Sequence, residues 1–181
     1  MSRLRRPFLY DRYFFVTVCL LKTRRRLFDP DFERVAYAMA RMRRKHGFLL
    51  TAWVFLPDHG HAILYPPYPL SISRALKAIK VSSTTAVNVR LGGSGKLWQE
   101  RFHSIRSGQV FDRALRTVKE YHDQVEYIHW NPVRRGFVKR AEEWKWSSIH
   151  EYAGLRGEEQ ERRCGLRIDR VHLPADENTR I

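Results

Sequence analysis

The amino-acid sequence predicts a single α+β domain, a central sheet with helices packed on it, and three observations carry that prediction. Short runs of β-branched and aromatic residues alternate with longer stretches whose apolar residues recur every three or four positions, in the order β, α, β, β, α, β, α. Two of the strand-like runs, 48–56 and 61–65, are joined only by the turn around Pro57 and Asp58, so they pair as an antiparallel hairpin. A chain of 181 residues, 43% hydrophobic and 13% aromatic, suffices for one buried core and is short for two.

Taken in order, Tyr13 to Leu20 is a buried-strand run of aromatic and β-branched residues. Asp29-Pro30-Asp31 starts a helix, Phe32, Val35, Ala36, Met39 and Met42 form its core stripe, and Gly47 ends it. The hairpin follows. Leu70 to about Val89 is a helix with Arg74, Lys77 and Lys80 on a basic face; its Ser82 to Thr85 run suits either phosphate contacts or plain solvation. Leu97-Trp98-Gln99 and Phe102 to Arg106 suggest a last strand. Phe111 to Trp130 is a long amphipathic helix stopped by Pro132. From residue 154 charged residues dominate, so the chain divides into a body of 1–153 and a polar, mobile tail of 154–181.

Charge narrows the function. Thirty-four Lys and Arg against nineteen Asp and Glu leave +15, the footprint of a protein that holds a polyanion. Nucleic acid is the first partner predicted. A membrane is disfavoured, because no apolar run of about 18 residues exists, and the basic start at Arg3, Arg5 and Arg6 lacks a small-residue cleavage site. Cys19 and Cys164 form neither a disulfide framework nor a Cys-x-x-Cys site, which fits a cytoplasmic location.

The hairpin carries the chemistry. In an extended chain His59 and His61 share one face, where two imidazoles can hold a common cation, although a plain surface or core pair has the same pattern. On the last helix, Tyr127 lies about 180° from Val118 and about 200° from Val125, away from the apolar stripe. Arg116, Glu120, Asp123 and Asn131 fall within about 40° of it, so Tyr127 reads as part of a polar face or as a half-exposed surface aromatic. Tyr121 belongs with the core.

Three pieces then align in order: Trp53 to His61 with its His-x-His, Trp98-Gln99-x-Arg101-Phe102, and Tyr127-Ile128-x-x-Asn131-Pro132-Val133-x-x-Gly136 followed by Trp146-Ser147-Ser148. Together they resemble the REP-associated tyrosine transposases, relatives of the IS200/IS605 transposases in the HUH single-strand nuclease superfamily, over roughly residues 10 to 150. The resemblance implies a ferredoxin-like fold with a central antiparallel sheet. It implies that His59 and His61 bind a metal, that Asn131 completes the site, and that Tyr127 is the catalytic nucleophile. Gly60 departs from it, since a bulky hydrophobic residue usually stands between the two histidines.

The implied activity is a metal-dependent single-stranded DNA endonuclease and strand transferase acting on hairpin-forming repeats through a 5′-phosphotyrosine. The alternative is a hairpin-binding protein whose catalysis has decayed, and a zinc-stabilised RNA-binding domain ranks third for want of four ligands. The implied cofactor is Mg²⁺ or Mn²⁺, with no small-molecule cofactor, and the assembly a monomer or homodimer. A free phenol, with a pKa of about 10, must lose its proton to attack; His103, His122, His129 or metal-bound water are the candidate acceptors. DNA contacts are expected from Arg5, Arg6, Arg74, Lys77, Lys80, Arg134 and Arg135, with Trp98 or Tyr68 as stacking surfaces.

Overall fold

The computed structural model describes residues 11–99 and 112–181. Strands β1 (Phe14–Cys19), β2 (Leu49–Phe55), β3 (His59–Tyr65) and β4 (Asp112–Ala114) form one sheet in the order β2-β3-β1-β4. Every pairing is antiparallel. With α1 (Asp29–His46) between β1 and β2, and α2 (Ile72–Leu91) between β3 and β4, this is the ferredoxin-like βαββαβ arrangement. A third helix, α3 (Val118–Arg134), follows β4.

Local chemistry sets the helix ends. Phe28 enters α1 extended, its N–H donated to the Asp31 carboxylate at 3.2 Å, and Gly47 leaves it at φ 73, a left-handed cap that favours glycine. Asp31 is fully buried and accepts Arg90 from the end of α2 at 2.6 Å and Arg25 at 3.0 Å. A buried carboxylate needs such partners, and here they tie α1 to α2. Ser71 caps α2 by accepting the Arg74 N–H.

Strand alternation divides the core. Phe14, Val16, Trp53, Phe55, Ala62 and Leu64 pack against α1 and α2, while Phe15, Ala52, Val54 and Ile63 pack with Leu115, Tyr121, Val125 and Ile128 of the α3 side. His59 and His61 share the phase of Ile63, so they face α3.

Three expectations are corrected. The last strand is Asp112–Ala114, drawn in by pairing with β1 (Phe14↔Ala114), and Thr117 then caps α3 at Val118; Phe102 to Arg106 and Phe111 lie outside the described residues. Pro132 does not stop α3, which runs on to Arg134 around it. The proline costs the one N–H that would have reached the Ile128 carbonyl, and the helix continues only two residues beyond it. Residues 154–181 are packed rather than peripheral. After the short α4 (Ile149–Tyr152), α5 (Gly157–Cys164) and the following chain put Cys164 and Leu166 into the main core. Asp169 accepts the Leu50 N–H at 2.9 Å and Arg43 at 2.6 Å, while the Thr179 and Glu177 carbonyls receive the first N–H groups of α3. Sequence polarity concealed this because the apolar tail residues that pack, among them Cys164, Leu166 and Ile168, are scattered singly among charged ones.

The back of α3 carries a pH-sensitive contact. His129 is buried with Nε2 2.9 Å from the Ser148 hydroxyl, and burial, with the charge of His150, pushes its pKa down to about 4. The unfolded chain binds this proton near pH 6.5 and the fold resists it, so the stabilisation is full above pH 6.5 and is lost as pH falls toward 4. The expected loss is roughly 3 kcal/mol at its limit. Urea unfolding of wild type and His129→Gln between pH 7 and 4.5 checks this. The stability difference between them should narrow as pH falls, and a constant difference contradicts it.

Candidate active site

Strand register builds the first half of the site. Thr17 stands opposite His61 and Cys19 opposite His59 on the α3 face of the sheet. The Thr17 hydroxyl lies 2.8 Å from His61 Nδ1, and Asp58 Oδ1 lies 2.5 Å from His59 Nδ1. Both rings therefore have their Nδ1 edges engaged, which turns the Nε2 edges toward the side chain of Asn131 and any ligand held beside it. The turn that presents them is rigid: Leu56 N–H donates to the His59 carbonyl and Leu20 N–H to the Asp58 carbonyl, both at 2.8 Å.

Helix α3 supplies the second half. Asn131, 4% exposed, has Nδ2 3.2 Å from His61 Nε2. One turn earlier, the Tyr127 ring lies 5.3 Å from the His61 ring and 5.7 Å from Phe15, with the Arg134 guanidinium 5.4 Å from its centroid. Among the described residues its hydroxyl has no hydrogen-bond partner. The helical projection set Tyr127 and Asn131 side by side on a polar face, and at the end of α3 that face turns inward onto the sheet. Asn131 is buried and Tyr127 half-buried, because the end of α3 lies over the polar patch of the sheet formed by Thr17, His59 and His61. A projection that scores only apolar residues takes such a polar-to-polar contact for exposure.

Burial governs the electrostatics. It holds the His61 pKa well below the ordinary imidazole value, with the charges of His59 and Arg135 adding to the effect. His59 is also lowered, first by burial, although the Asp58 carboxylate pulls against it. Both rings are thus neutral, the form that binds metal. Asn131 Oδ1 is buried with no partner of its own, and Asn131 also reaches His59. Two neutral imidazoles and one unsatisfied amide oxygen, confined together, fit a divalent cation.

The sequence family described as Transposase IS200 like matches residues 10–124, a span that holds both histidines and ends just short of Tyr127. The chain belongs to the IS200-like Y1 transposases. It is similar to the REP-associated tyrosine transposase of Escherichia coli strain K12, at 31% identity over 151 residues, covering 83% of this chain and 84% of that protein. It is also similar to a solved REP-associated tyrosine transposase bound to a REP hairpin, with a TM-score of 0.68 and 30% identity over 83% of this chain and 84% of that one.

Other residues singled out in this Y1 transposase chain divide sharply. Trp98, expected as a stacking surface, is 8% exposed and donates its indole N–H to the Ser83 hydroxyl at 2.8 Å, so it is a core residue. Its apolar neighbour Leu97 was the available signal. Tyr68 is 71% exposed. Arg74 and Lys77 are exposed on α2, and Lys80 donates to the Gln99 carbonyl at 2.7 Å; α2 packs on the sheet face opposite the histidines. Arg134 and Arg135 adjoin the site, whereas Arg5, Arg6 and His103 lie outside the described residues. His122 and His129 are about 140° and 160° from Tyr127 around α3, too far to take its proton. Tyr121 is buried against Tyr152 on the other side. Sequence reasoning missed Asp58 and Thr17 as partners of the histidines; adjacency hinted at Asp58, while only strand pairing reveals Thr17. No helix of the described residues is long and apolar enough to cross a membrane.

Gly60 has a structural reason. It points away from the histidine face, and a Cβ there would meet the Val54 carbonyl oxygen at 3.2 Å and Phe55 Cδ1 at 3.4 Å. Beside it, between the sheet and α1, lies an apolar cavity of about 40 Å³ lined by Val16, Val18, Leu27 and Phe32. The close approach is to backbone, which cannot easily give. Gly60→Ala is expected to lower stability by about 1 kcal/mol, the crowding cost exceeding the gain in chain entropy. Denaturant unfolding measures it, and a stabilised variant contradicts it.

Proposed function

We propose that this protein cuts and rejoins single-stranded DNA at hairpin-forming repeats, with Tyr127 as nucleophile and His59, His61 and Asn131 as the metal-binding set. The observation that carries this reading is the convergence of all four residues within one chain, Asn131 3.2 Å from His61 and the Tyr127 ring 5.3 Å from it. The similar protein solved with a REP hairpin supports the choice of substrate. The strongly basic chain agrees with it.

Tyr127 Oη attacks the scissile phosphorus. The Oη–P bond forms as the P–O3′ bond breaks, leaving a 5′-phosphotyrosine and a free 3′-hydroxyl. The phenol proton passes to water, because His122 and His129 are turned away from Tyr127 around α3 and both ring nitrogens of His61 are engaged, by Thr17 and Asn131. The departing 3′-oxygen takes a proton from water in turn. A bound Mg²⁺ or Mn²⁺ would supply Lewis-acid stabilisation of the charge on the phosphate oxygens. His61, oriented by Thr17, and His59, oriented by Asp58, present neutral nitrogens to it. The phosphotyrosine keeps the bond energy, so attack by a 3′-hydroxyl rejoins a strand by the same chemistry in reverse.

The reading of a decayed hairpin binder rested on Gly60, which lies on the far face of the sheet and leaves the histidines in place. The test mixes the protein with a single-stranded hairpin oligonucleotide and Mg²⁺ or Mn²⁺, beside a chelated control, on a denaturing gel. A metal-dependent covalent adduct is expected. Tight binding without an adduct under either metal would return the protein to the binding class.

A further inference from the structure

We propose that Arg135 contacts the substrate in this site, its guanidinium taking a non-bridging oxygen of the scissile phosphodiester and stabilising the charge that gathers there as Tyr127 attacks. The inference rests on the function proposed above and deepens it.

Helical spacing carries Arg135 toward the site. Tyr127, Asn131 and Arg135 are spaced by four and line one face of α3 and its cap. That cap keeps helical angles, φ −90 and ψ −2, and its N–H donates to the Asn131 carbonyl at 3.0 Å. A helix advances about 6 Å in four residues and a strand about 6.7 Å in two, so the helix face and the strands beneath it stay in step. Tyr127 meets Phe15 and His61, and Asn131 meets His61. One more step of the same spacing points from Asn131 along α3 to Arg135 and along the strands to the Cys19↔His59 pair, beside which the hairpin turn carries Asp58.

Two further observations agree. The positive charge of Arg135 acts on Asp58, His59, His61 and Cys19 together. Its side chain is exposed and has no ion-pair partner among the described residues, whereas Arg134 is committed to the Tyr127 ring. A guanidinium offers a planar fork of donors matched to two phosphate oxygens and stays charged at any working pH. During the step the Oη–P bond forms, the P–O3′ bond breaks and protons move to and from water as above, while Arg135 is unchanged. It supplies a second positive centre beside the cation-binding set.

The experiment measures single-turnover adduct formation with the full chain, a single-stranded hairpin oligonucleotide and Mn²⁺, for wild type, Arg135→Ala and Arg135→Lys. Hairpin affinity is measured in parallel. Each protein is also given the two methylphosphonate diastereomers at the position where wild type cuts. Arg135→Ala should slow adduct formation about 10²-fold or more, with little change in hairpin affinity, since one phosphate contact among many is lost. Arg135→Lys should recover part of the rate. On one diastereomer, wild type and Arg135→Ala should react equally, because the oxygen that Arg135 holds is gone. Equal slowing on the phosphate and both diastereomers, or a loss of affinity that parallels the loss of rate, overturns the inference. A normal rate for Arg135→Ala overturns it alone, whereas no adduct from wild type overturns the proposed function and this inference with it.

Discussion

Tyr127→Phe is expected to abolish the covalent protein–DNA adduct while hairpin binding and fold stability stay nearly unchanged. The substitution removes one oxygen. The packing of residue 127, against His61 at 5.3 Å, Phe15 at 5.7 Å and Arg134 at 5.4 Å, is made by the ring, which phenylalanine keeps. Because the hydroxyl has no hydrogen-bond partner among the described residues, its loss should change stability by less than about 0.5 kcal/mol. Loss of a nucleophile, by contrast, costs on the order of 10⁴-fold or more in rate. Labelling sharpens the assay: a 5′-phosphotyrosine carries the 3′-labelled fragment onto the protein and releases the 5′-labelled one. An adduct that persists in Tyr127→Phe rules out the proposed nucleophile. Tyr121→Phe serves as the control, since the Tyr121 hydroxyl is buried beside Tyr152, and burial raises its pKa.

The second large effect is on the cation. His61→Ala removes a neutral imidazole and strands the Thr17 hydroxyl and the Asn131 amide, so adduct formation should fall by about 10²-fold or more, with excess Mn²⁺ failing to restore it. Thr17→Val keeps the imidazole but loosens its orientation, and a loss of about 10–100-fold in metal affinity is expected, recoverable at high metal. The pH dependence follows from the direction of the shifts. Burial lowers the pKa of both His59 and His61, so protons compete with metal only below the ordinary imidazole range. Manganese affinity, measured by titration calorimetry without DNA, should be flat from pH 8 to about 6.5 and fall below that. Unchanged manganese affinity in His61→Ala rules out this metal set.

Much of the site was legible from local periodicity. An extended strand alternates its side chains, so His59 and His61 had to share a face, and a helix brings residues four apart together, so Tyr127 and Asn131 had to be neighbours. The order and spacing of the three motifs tied those two faces to one family. The polar tail and Trp98 were misread for a common reason: composition reports what a residue prefers, not what the fold offers it. Trp98 found a buried acceptor in Ser83, and Asp169 found Leu50 and Arg43.

The sequence by itself thus determined the strand and helix alternation, the positive charge, the paired histidines and the helical spacing of Tyr127 from Asn131. Only the tertiary structure decided that the end of α3 covers the histidine face, that Thr17 orients His61, and that Gly60 lies against backbone on the far side. The physical reason is range. Thr17 and His61 are 44 residues apart and His61 and Asn131 are 70 apart, so their contacts arise from how the sheet pairs and how α3 packs across it, which no local pattern specifies.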